Sequence, residues 1–450
     1  MNRFMIAGTR SGSGKTTITC AILQALVNRG LDVASFKCGP DYIDPMFHSR
    51  VIGADAHNLD RFFCPPETTR YLLQKYSRTY TVIEGVMGFY DGVKGAASSH
   101  QLAVETDTPV ILVLDCKGMS DSIGALMQGF LHYRRPNGII GFLFNRLPES
   151  LAGLARSLCE EMNVAFFGRF PSVPECAIES RHLGLVTAAE VAGLREKTNR
   201  LAALAEEFID MDGLLNLTRR EPLTACASPA IVRDGTVRVA VARDNAFCFY
   251  YRENDDLLRE SGCELIDFSP LRDASLPEDI GGLILGGGYP ELYAEKLSEN
   301  RALLGEIRSR VAGGLPTIAE CGGFLYLHDE LQGEDGVFYP AVGAVSGRAY
   351  RTEKLRRFGY LHLHAPRDSL LFGEGWSVPA HEFHYWDSTR PGDDLTARKA
   401  SSGAEYLCAH TSPTLYAGFP HLYYYSNPQV AARFVEKCMH HKEAENHGTN

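Results

Sequence analysis

Residues 8–17 read Gly8-Thr9-Arg10-Ser11-Gly12-Ser13-Gly14-Lys15-Thr16-Thr17, between the apolar run Phe4–Ala7 and the helical pattern Lys15–Asn28. In a strand, glycine-rich loop and helix of this kind, backbone N–H groups curl round phosphate oxygens. The helix start adds partial positive charge. Gly12 and Gly14 let the chain turn, Lys15 reaches the β- and γ-phosphates, and Thr16 offers its hydroxyl to Mg²⁺, with Thr17 beside it in the cradle. One departure from the usual pattern stands out. Thr9 occupies the place of the first glycine, and Gly8 lies one residue early. An ordinary glycine-rich turn is the plain alternative, but Gly-Lys-Thr-Thr at a helix start favours the nucleotide loop. The loop itself does not choose between ATP and GTP.

Outward from this loop, Val33–Phe36, Thr81–Ile83, Val110–Leu114, Ile139–Phe144 and Ala165–Phe170 read as buried strands. Gln101–Glu105, Ser120–His132, Leu151–Met162 and Thr187–Leu217 read as helices. Continuous apolar strands alternating with helices predict an α/β unit with a parallel sheet covered on both faces. Ligands of such sheets gather at the carboxyl ends of strands. There, Lys37-Cys38-Gly39-Pro40-Asp41-Tyr42-Ile43-Asp44-Pro45 follows one strand, and Glu84-Gly85-Val86-Met87-Gly88-Phe89-Tyr90-Asp91-Gly92 follows another. Asp41, Asp44 and Glu84 thus converge on the edge that carries the loop, and two or three carboxylates there suit Mg²⁺ bridging phosphates. Taken singly, Asp41 and Asp44 read equally well as turn caps, and Asp91-Gly92 as a common turn pair.

Composition shifts near Thr218–Asp234, where two prolines and no clear period mark a linker. The predicted division is an ATP-binding domain over residues 1–217, a linker over 218–235, a second domain over 236–440 and a polar, frayed tail over 441–450. The second domain begins a new alternation: strand Val237–Ala242, helix Asn245–Glu260, strands Glu264–Ile266 and Leu283–Leu285, helix Glu291–Ala312 and strand Thr317–Ala319. Val342–Leu363 is richer in Gly, Tyr and Arg and reads as antiparallel.

Strand Thr317–Ala319 leads into Glu320-Cys321-Gly322-Gly323-Phe324-Leu325. A cysteine between a strand and a Gly-Gly helix start sits on a sharp turn, where its thiol projects and a carbonyl can approach. The helix start faces the thiol with partial positive charge, and the N–H of Gly322 can stabilise an oxyanion. Gly286-Gly287-Gly288-Tyr289-Pro290-Glu291 ends an earlier strand, and its backbone N–H groups, those of Gly287 and Gly288 above all, serve the same oxyanion. The bland reading of Cys321 is a buried structural cysteine. A nucleophile needs a base. His421 in Ala417-Gly418-Phe419-Pro420-His421-Leu422-Tyr423 is preferred to His384 in His381-Glu382-Phe383-His384-Tyr385, because it stands at a strand end before the final helix.

The chain has 450 residues, enough for two or three domains, with 45% apolar and 22% charged residues. Lys+Arg is 45 and Asp+Glu is 55, a net charge of −10 that argues against a nucleic-acid binder. Apolar runs such as Pro109–Leu114 fall far short of the roughly 20 residues that span a membrane, and Met1–Gly8 is too short for a secretory apolar region. Twelve cysteines without a Cys-x-x-Cys pair read as reduced thiols of a cytoplasmic protein.

Four segments of the first half resemble the cobyrinic acid a,c-diamide synthase family, of the cobyrinate/cobyrate-type glutamine amidotransferases: residues 8–17, 37–45 and 84–92, with Arg181-His182-Leu183-Gly184-Leu185. Leu285–Glu291, Glu320–Gly323 and His381–Tyr385 resemble the glutaminase half of the same family. The resemblance implies an N-terminal phosphate-loop domain like dethiobiotin synthetase, which shares the shifted loop. It also implies a C-terminal class I glutamine amidotransferase-like domain. By position, Asp44 and Glu84 match metal-side acids, Asp41 and Asp91 match substrate-side acids, and Asn145 matches the residue that reads adenine with its amide. Cys321 matches the glutaminase nucleophile and His421 its base. The general triad of such glutaminases has His-x-Glu, but here His421-Leu422-Tyr423 offers no carboxylate at that place, so another group must orient the histidine.

The implied chemistry is amidation of the a and c acetates of cobyrinate, each with one ATP and one glutamine. An acyl phosphate forms first, and ammonia released from glutamine crosses to it. Mg²⁺, ATP, glutamine and a cobyrinate-type tetrapyrrole are the expected cofactor and substrates. No nucleic-acid or membrane partner is expected, and a homodimer is compatible with the reading. Peripheral carboxylates of the ring suggest basic contacts such as Arg181, Arg351, Arg356 and Arg357. The rivals are the same chemistry on hydrogenobyrinate or nickel sirohydrochlorin, and a partitioning-type switch ATPase. The latter's extra lysine position holds Arg10, and it has no use for a Cys-Gly-Gly elbow.

Overall fold

The computed structural model describes residues 1–93, 95–176, 188–355 and 357–448. The segment Arg181–Leu185 and Arg356 lie outside the described residues. The chain divides into two compact units, Met1–Ser228 and Pro229–Asn450. Residues 220–233 hold no helix or strand. The first part of that stretch packs on the first unit, since Cys226 N–H donates to Gln74 Oε1 at 3.0 Å and the Tyr71 and Ser228 hydroxyls meet at 3.0 Å.

The first unit is built on seven strands: β1 Asn2–Gly8, β2 Val33–Cys38, β3 Asp55–Leu59, β4 Tyr80–Glu84, β5 Val110–Asp115, β6 Ile139–Asn145 and β7 Ala165–Phe170. They run in the order β3-β2-β4-β1-β5-β6-β7, and every pair is parallel. Helices cover the sheet, so Phe4, Ile6, Val82, Ile111, Val113 and Leu143 are wholly buried. Burial of this kind is the main stabilising term, about 25 cal/mol per Å² of apolar surface. β3 is a strand that the hydrophobic pattern does not announce, because Asp-Ala-His-Asn-Leu lacks an apolar run. The helix expected over Thr187–Leu217 is two helices, Ala188–Phe208 and Met211–Leu217. They part where Asp210 turns to accept the Gly213 N–H at 2.9 Å.

The second unit carries a six-stranded sheet in the order Cys263–Phe268, Val237–Ala242, Gly282–Leu285, Thr317–Glu320, Leu415–Gly418, His410–Thr411, parallel except for its last pair. A second sheet is antiparallel, in the order Glu405–Cys408, Leu395–Lys399, Arg357–His364, Ser377–His384, His421–Leu422. Three expectations change here. Asn245–Glu260 opens with a short strand, Phe247–Phe249, and its helix begins only at Arg252. Glu291–Ala312 is broken at Asn300, whose side-chain amide donates to the carbonyls of Pro270 and Asp273 at 3.0 and 2.8 Å. The final helix runs Gln429–Gly448, through the segment expected to fray, with Lys442 paired to Asp279 at 2.7 Å. All twelve cysteines are free thiols, and among the described residues no helix is long and apolar enough to cross a membrane.

Candidate functional site

The phosphate loop leaves the carboxyl end of β1 and enters the helix Lys15–Asn28. Gly12 and Gly14 take φ of +72° and +95°, the left-handed region that glycine alone adopts freely. Gly8, the glycine one place early, is required by packing. A Cβ there would lie 2.1 Å from Ser13 Oγ and 2.9 Å from Lys15 Cδ. Lys15 Nζ donates to the carbonyls of Arg10 and Met87 at 3.1 and 2.6 Å. Burial lowers its pKa, offset in part by Glu84. Thr17 is the third residue of the same helix. Asn145, at the end of β6, donates its Nδ2 to the Ser13 carbonyl at 2.9 Å. It therefore braces the loop.

The acids do converge on this edge. Thr16 donates to Glu84 Oε1 at 2.6 Å, and Lys37 Nζ bridges Glu84 Oε1 at 2.7 Å and Asp44 Oδ2 at 2.5 Å. Lys37 was not singled out from the sequence, although it ends a strand among acids. Burial opposes its charge, but Glu84, Asp44 and Asp41 outweigh that and keep it an ammonium. The same exchange works on Asp44: burial resists ionisation, and Lys37 and His48 hold the carboxyl below its ordinary value. Glu84 Oε2 is buried without a hydrogen-bond donor, with His48 Nε2 3.8 Å away.

Asp41 caps the short helix Ile43–Phe47, accepting the N–H groups of Ile43 and Asp44 at 2.8 and 3.1 Å. Burial and the neighbouring Asp44 raise its pKa to about 6. Asp91 is exposed and closes a turn, accepting the Gly88 N–H at 2.8 Å. Arg10 is paired with Asp115 of its own sheet at 2.7 Å.

In the second unit Cys321 has φ +48° and ψ −102°, a conformation costly to a residue with a Cβ and typical of a nucleophile elbow. The turn is held by Cys321 N–H to Gly418 O at 2.8 Å and Gly323 N–H to Gly286 O at 2.9 Å. It needs small neighbours: a Cβ on Gly323 would lie 2.0 Å from the Leu285 carbonyl. A Cβ on Gly322 would lie 3.0 Å from Gly288 N, so Gly288 N comes close to the elbow. Gly287 and Gly288 are fixed by pairing with Phe247–Phe249, and the Tyr250 hydroxyl accepts the Gly286 N–H at 2.9 Å.

His421 is buried, and the Cys321 thiol is among the groups that act on its imidazole. Burial alone would push the imidazole down; Cys321 and Glu320 overcome this and raise it to about 10. His384, the lesser candidate, is engaged by the backbone and by a neighbouring ring. Its Nδ1 meets the Trp386 carbonyl at 2.6 Å, its ring stacks on Phe419 at 3.8 Å, and burial lowers it to about 4. Of the basic contacts expected, Arg357 faces Glu382 at 3.9 Å and lies over the Tyr406 ring, and Arg351 lies over Trp386.

Comparison with known proteins matches both halves. Residues 4–184 match the family model described as CobQ/CobB/MinD/ParA nucleotide binding domain. Residues 238–427 match the CobB/CobQ-like glutamine amidotransferase domain. A cobyrinate a,c-diamide synthase of Caldanaerobacter subterraneus is 36% identical, covering 97% of this chain and 98% of its own. That of Synechococcus is also 36% identical, over 97% and 98%. That of Thermoplasma volcanium is 38% identical, over 98% of each. A nucleotide-binding half and a glutamine amidotransferase half, matched in order along nearly the whole of such relatives, mean that this chain belongs to the cobyrinate a,c-diamide synthase family.

Proposed function

We propose that this enzyme amidates the a and c acetate carboxylates of cobyrinic acid, with one ATP and one glutamine for each. The observation that carries the reading is a pairing within one chain. A phosphate loop faces buried carboxylates and a lysine, and a thiol on a strained backbone turn acts on an imidazole raised to about 10.

In the first unit, Lys15 exchanges its two carbonyl partners for the β- and γ-phosphates of ATP. Asn145 accepts from the adenine amine while it holds the loop. A substrate carboxylate oxygen attacks the γ-phosphorus, ADP leaves, and an acyl phosphate results. Lys15 and Lys37 offset the charge that develops on the transferring group. The residues fit Mg²⁺. Thr16, Asp44 and Glu84 are hard oxygen donors, and Glu84 Oε2 is a buried acceptor without a donor. Among the described residues no closed cluster of metal ligands occurs, as suits an ion that keeps waters and phosphates in its shell. When bound there, Mg²⁺ neutralises phosphate charge. Asp41 and Asp91 serve the acceptor side, where Asp41 with its pKa near 6 can exchange a proton at neutral pH.

In the second unit, the Cys321 sulfur adds to the glutamine amide carbon, and the N–H groups of Gly287, Gly288 and Gly322 receive the oxyanion. His421 gives its proton to the leaving nitrogen, so ammonia departs and a thioester remains. Water, deprotonated by His421, then releases glutamate. Ammonia attacks the acyl phosphate, the C–O bond breaks and phosphate leaves.

The test gives the purified protein cobyrinate, hydrogenobyrinate or nickel sirohydrochlorin with ATP and glutamine. The expected result is a diamide of cobyrinate, with two ADP and two glutamates per ring. Faster turnover of another ring reassigns the substrate. ATP hydrolysis without any amide favours the switch ATPase, which the Arg10–Asp115 pair already disfavours by holding Arg10 within its own chain.

A further inference from the structure

Histidine bases are usually oriented by a carboxylate, and His-x-Glu places it two residues along the same strand. Here that position is Tyr423, which is buried with its ring edge-on to Tyr251 at 5.1 Å. A different carboxylate lies beside the ring. Glu320 Oε2 is 3.6 Å from His421 Nδ1, and Glu320 Oε1 accepts the Leu422 N–H at 3.2 Å. Glu320 ends strand Thr317–Glu320, immediately before the nucleophile. Consecutive strand residues point to opposite faces. The φ of +48° at Cys321 breaks that alternation, so neighbours in sequence can both meet one imidazole.

Among the described residues, the other titratable groups named around the ring are neutral or engaged elsewhere. His381 pairs with His421 across the strands, but burial lowers it to about 3 and it is neutral. Glu382 is engaged by the Tyr406 hydroxyl and faces Arg357. His384 is bound to the Trp386 carbonyl. Asn254 grips only backbone, through the Leu422 carbonyl at 2.8 Å and the Tyr424 N–H at 2.7 Å.

We propose that Glu320 is the positioning residue of the glutaminase, holding His421 through Nδ1 so that Nε2 faces the Cys321 thiol. The carboxylate has moved from the histidine's strand to the residue before the cysteine. It fixes the tautomer, stabilises the imidazolium and, through Leu422, anchors the backbone that carries the ring. The distance of 3.6 Å is one that catalytic contacts close when substrate arrives.

The proposal rests on the glutaminase reading of Cys321 and His421, and the experiment separates the two. Steady-state rates with glutamine and with ammonia are measured for wild type, Cys321→Ala, Glu320→Gln and Glu320→Asp. Glutamine has kept its shape and a carbonyl for Leu422 but lost the charge. Glu320→Gln is expected to lower kcat with glutamine about 100-fold with little change in KM. Its kcat/KM should lose its alkaline limb at lower pH than wild type, because the imidazolium has lost a counter-charge. Glu320→Asp should recover part of the rate. Ammonia-dependent turnover, which bypasses this site, is the reference for folding. A Glu320→Gln protein with wild-type glutamine kinetics and pH profile overturns the proposal. So does equal loss in the Asp variant, or parallel loss of ammonia use, either of which marks a structural role. If Cys321→Ala still uses glutamine, the glutaminase reading itself fails.

Discussion

Lys37 Nζ and Glu84 Oε1 lie 2.7 Å apart inside the first unit, with side chains 8% and 0% exposed. The ion pair closes a chain from Thr16 through Glu84 and Lys37 to Asp44, and so ties the phosphate loop to the acids of two neighbouring strands. A buried pair of this kind does little for net stability compared with apolar packing, but breaking it is costly. Its place at the strand ends sets a buried cation among carboxylates beside the phosphate loop, where it helps hold the Asp44 carboxyl below its ordinary value.

Lys37→Met is therefore expected to cost about 3–5 kcal/mol in urea unfolding, because it strands Glu84 and Asp44 without a cation. Adding Glu84→Gln should restore part of that stability while amidation stays lost. A Lys37→Met protein as stable as wild type refutes the buried-pair account.

Asn145→Ala removes the bond to the Ser13 carbonyl at 2.9 Å. The expected effect is a rise in KM for ATP of about tenfold, the worth of one or two neutral hydrogen bonds, with glutaminase activity unchanged. An unchanged KM for ATP counts against any role for this amide in the nucleotide loop.

His421 sets a pH dependence of stability. Its folded pKa, about 10, is above the ordinary value near 6.5. The folded state thus binds the proton more tightly, and the stability this contributes is fully present below about pH 6.5 and lost as pH rises through about 10. Urea unfolding of wild type and His421→Asn should show a gap that narrows across that window. A constant gap contradicts the raised imidazole.

Much of this was legible in the sequence, and the reasons differ by element. The helix Lys15–Asn28 and the strand Ala165–Phe170 appear with the ends expected, because a glycine-rich cap and a run of aromatics define them locally. β3 was not legible, since His57 and Asn58 are buried polar residues held by neighbours that only the fold supplies. That Asp41, Asp44 and Glu84 gather at one edge of the sheet was legible because each stands at or follows the carboxyl end of a strand. Lys37 was passed over because a lone lysine after an apolar run carries no pattern. Glu320 sat in plain view within Glu-Cys-Gly-Gly, but its partner is about a hundred residues away, and only the elbow at Cys321 shows that the two meet.

The close approach of Gly322 to Gly288 yields the last expectation. A Cβ at Gly322 would stand 2.9 Å from Pro290 Cδ and 3.0 Å from Gly288 N. Neither neighbour is a flexible side-chain end, so Gly322→Ala must move the Gly287–Gly288 strand away from the elbow. Loss of one oxyanion donor costs about 10²–10³-fold in kcat. Glutamine-dependent turnover of Gly322→Ala should fall by that amount, with ammonia-dependent turnover intact as the sign that the first unit is undisturbed. The thiol itself is untouched by the change, so Cys321 should still react with an alkylating reagent. A variant that loses thiol reactivity together with turnover points to collapse of the elbow. One that keeps full turnover with glutamine removes these glycines from the oxyanion site.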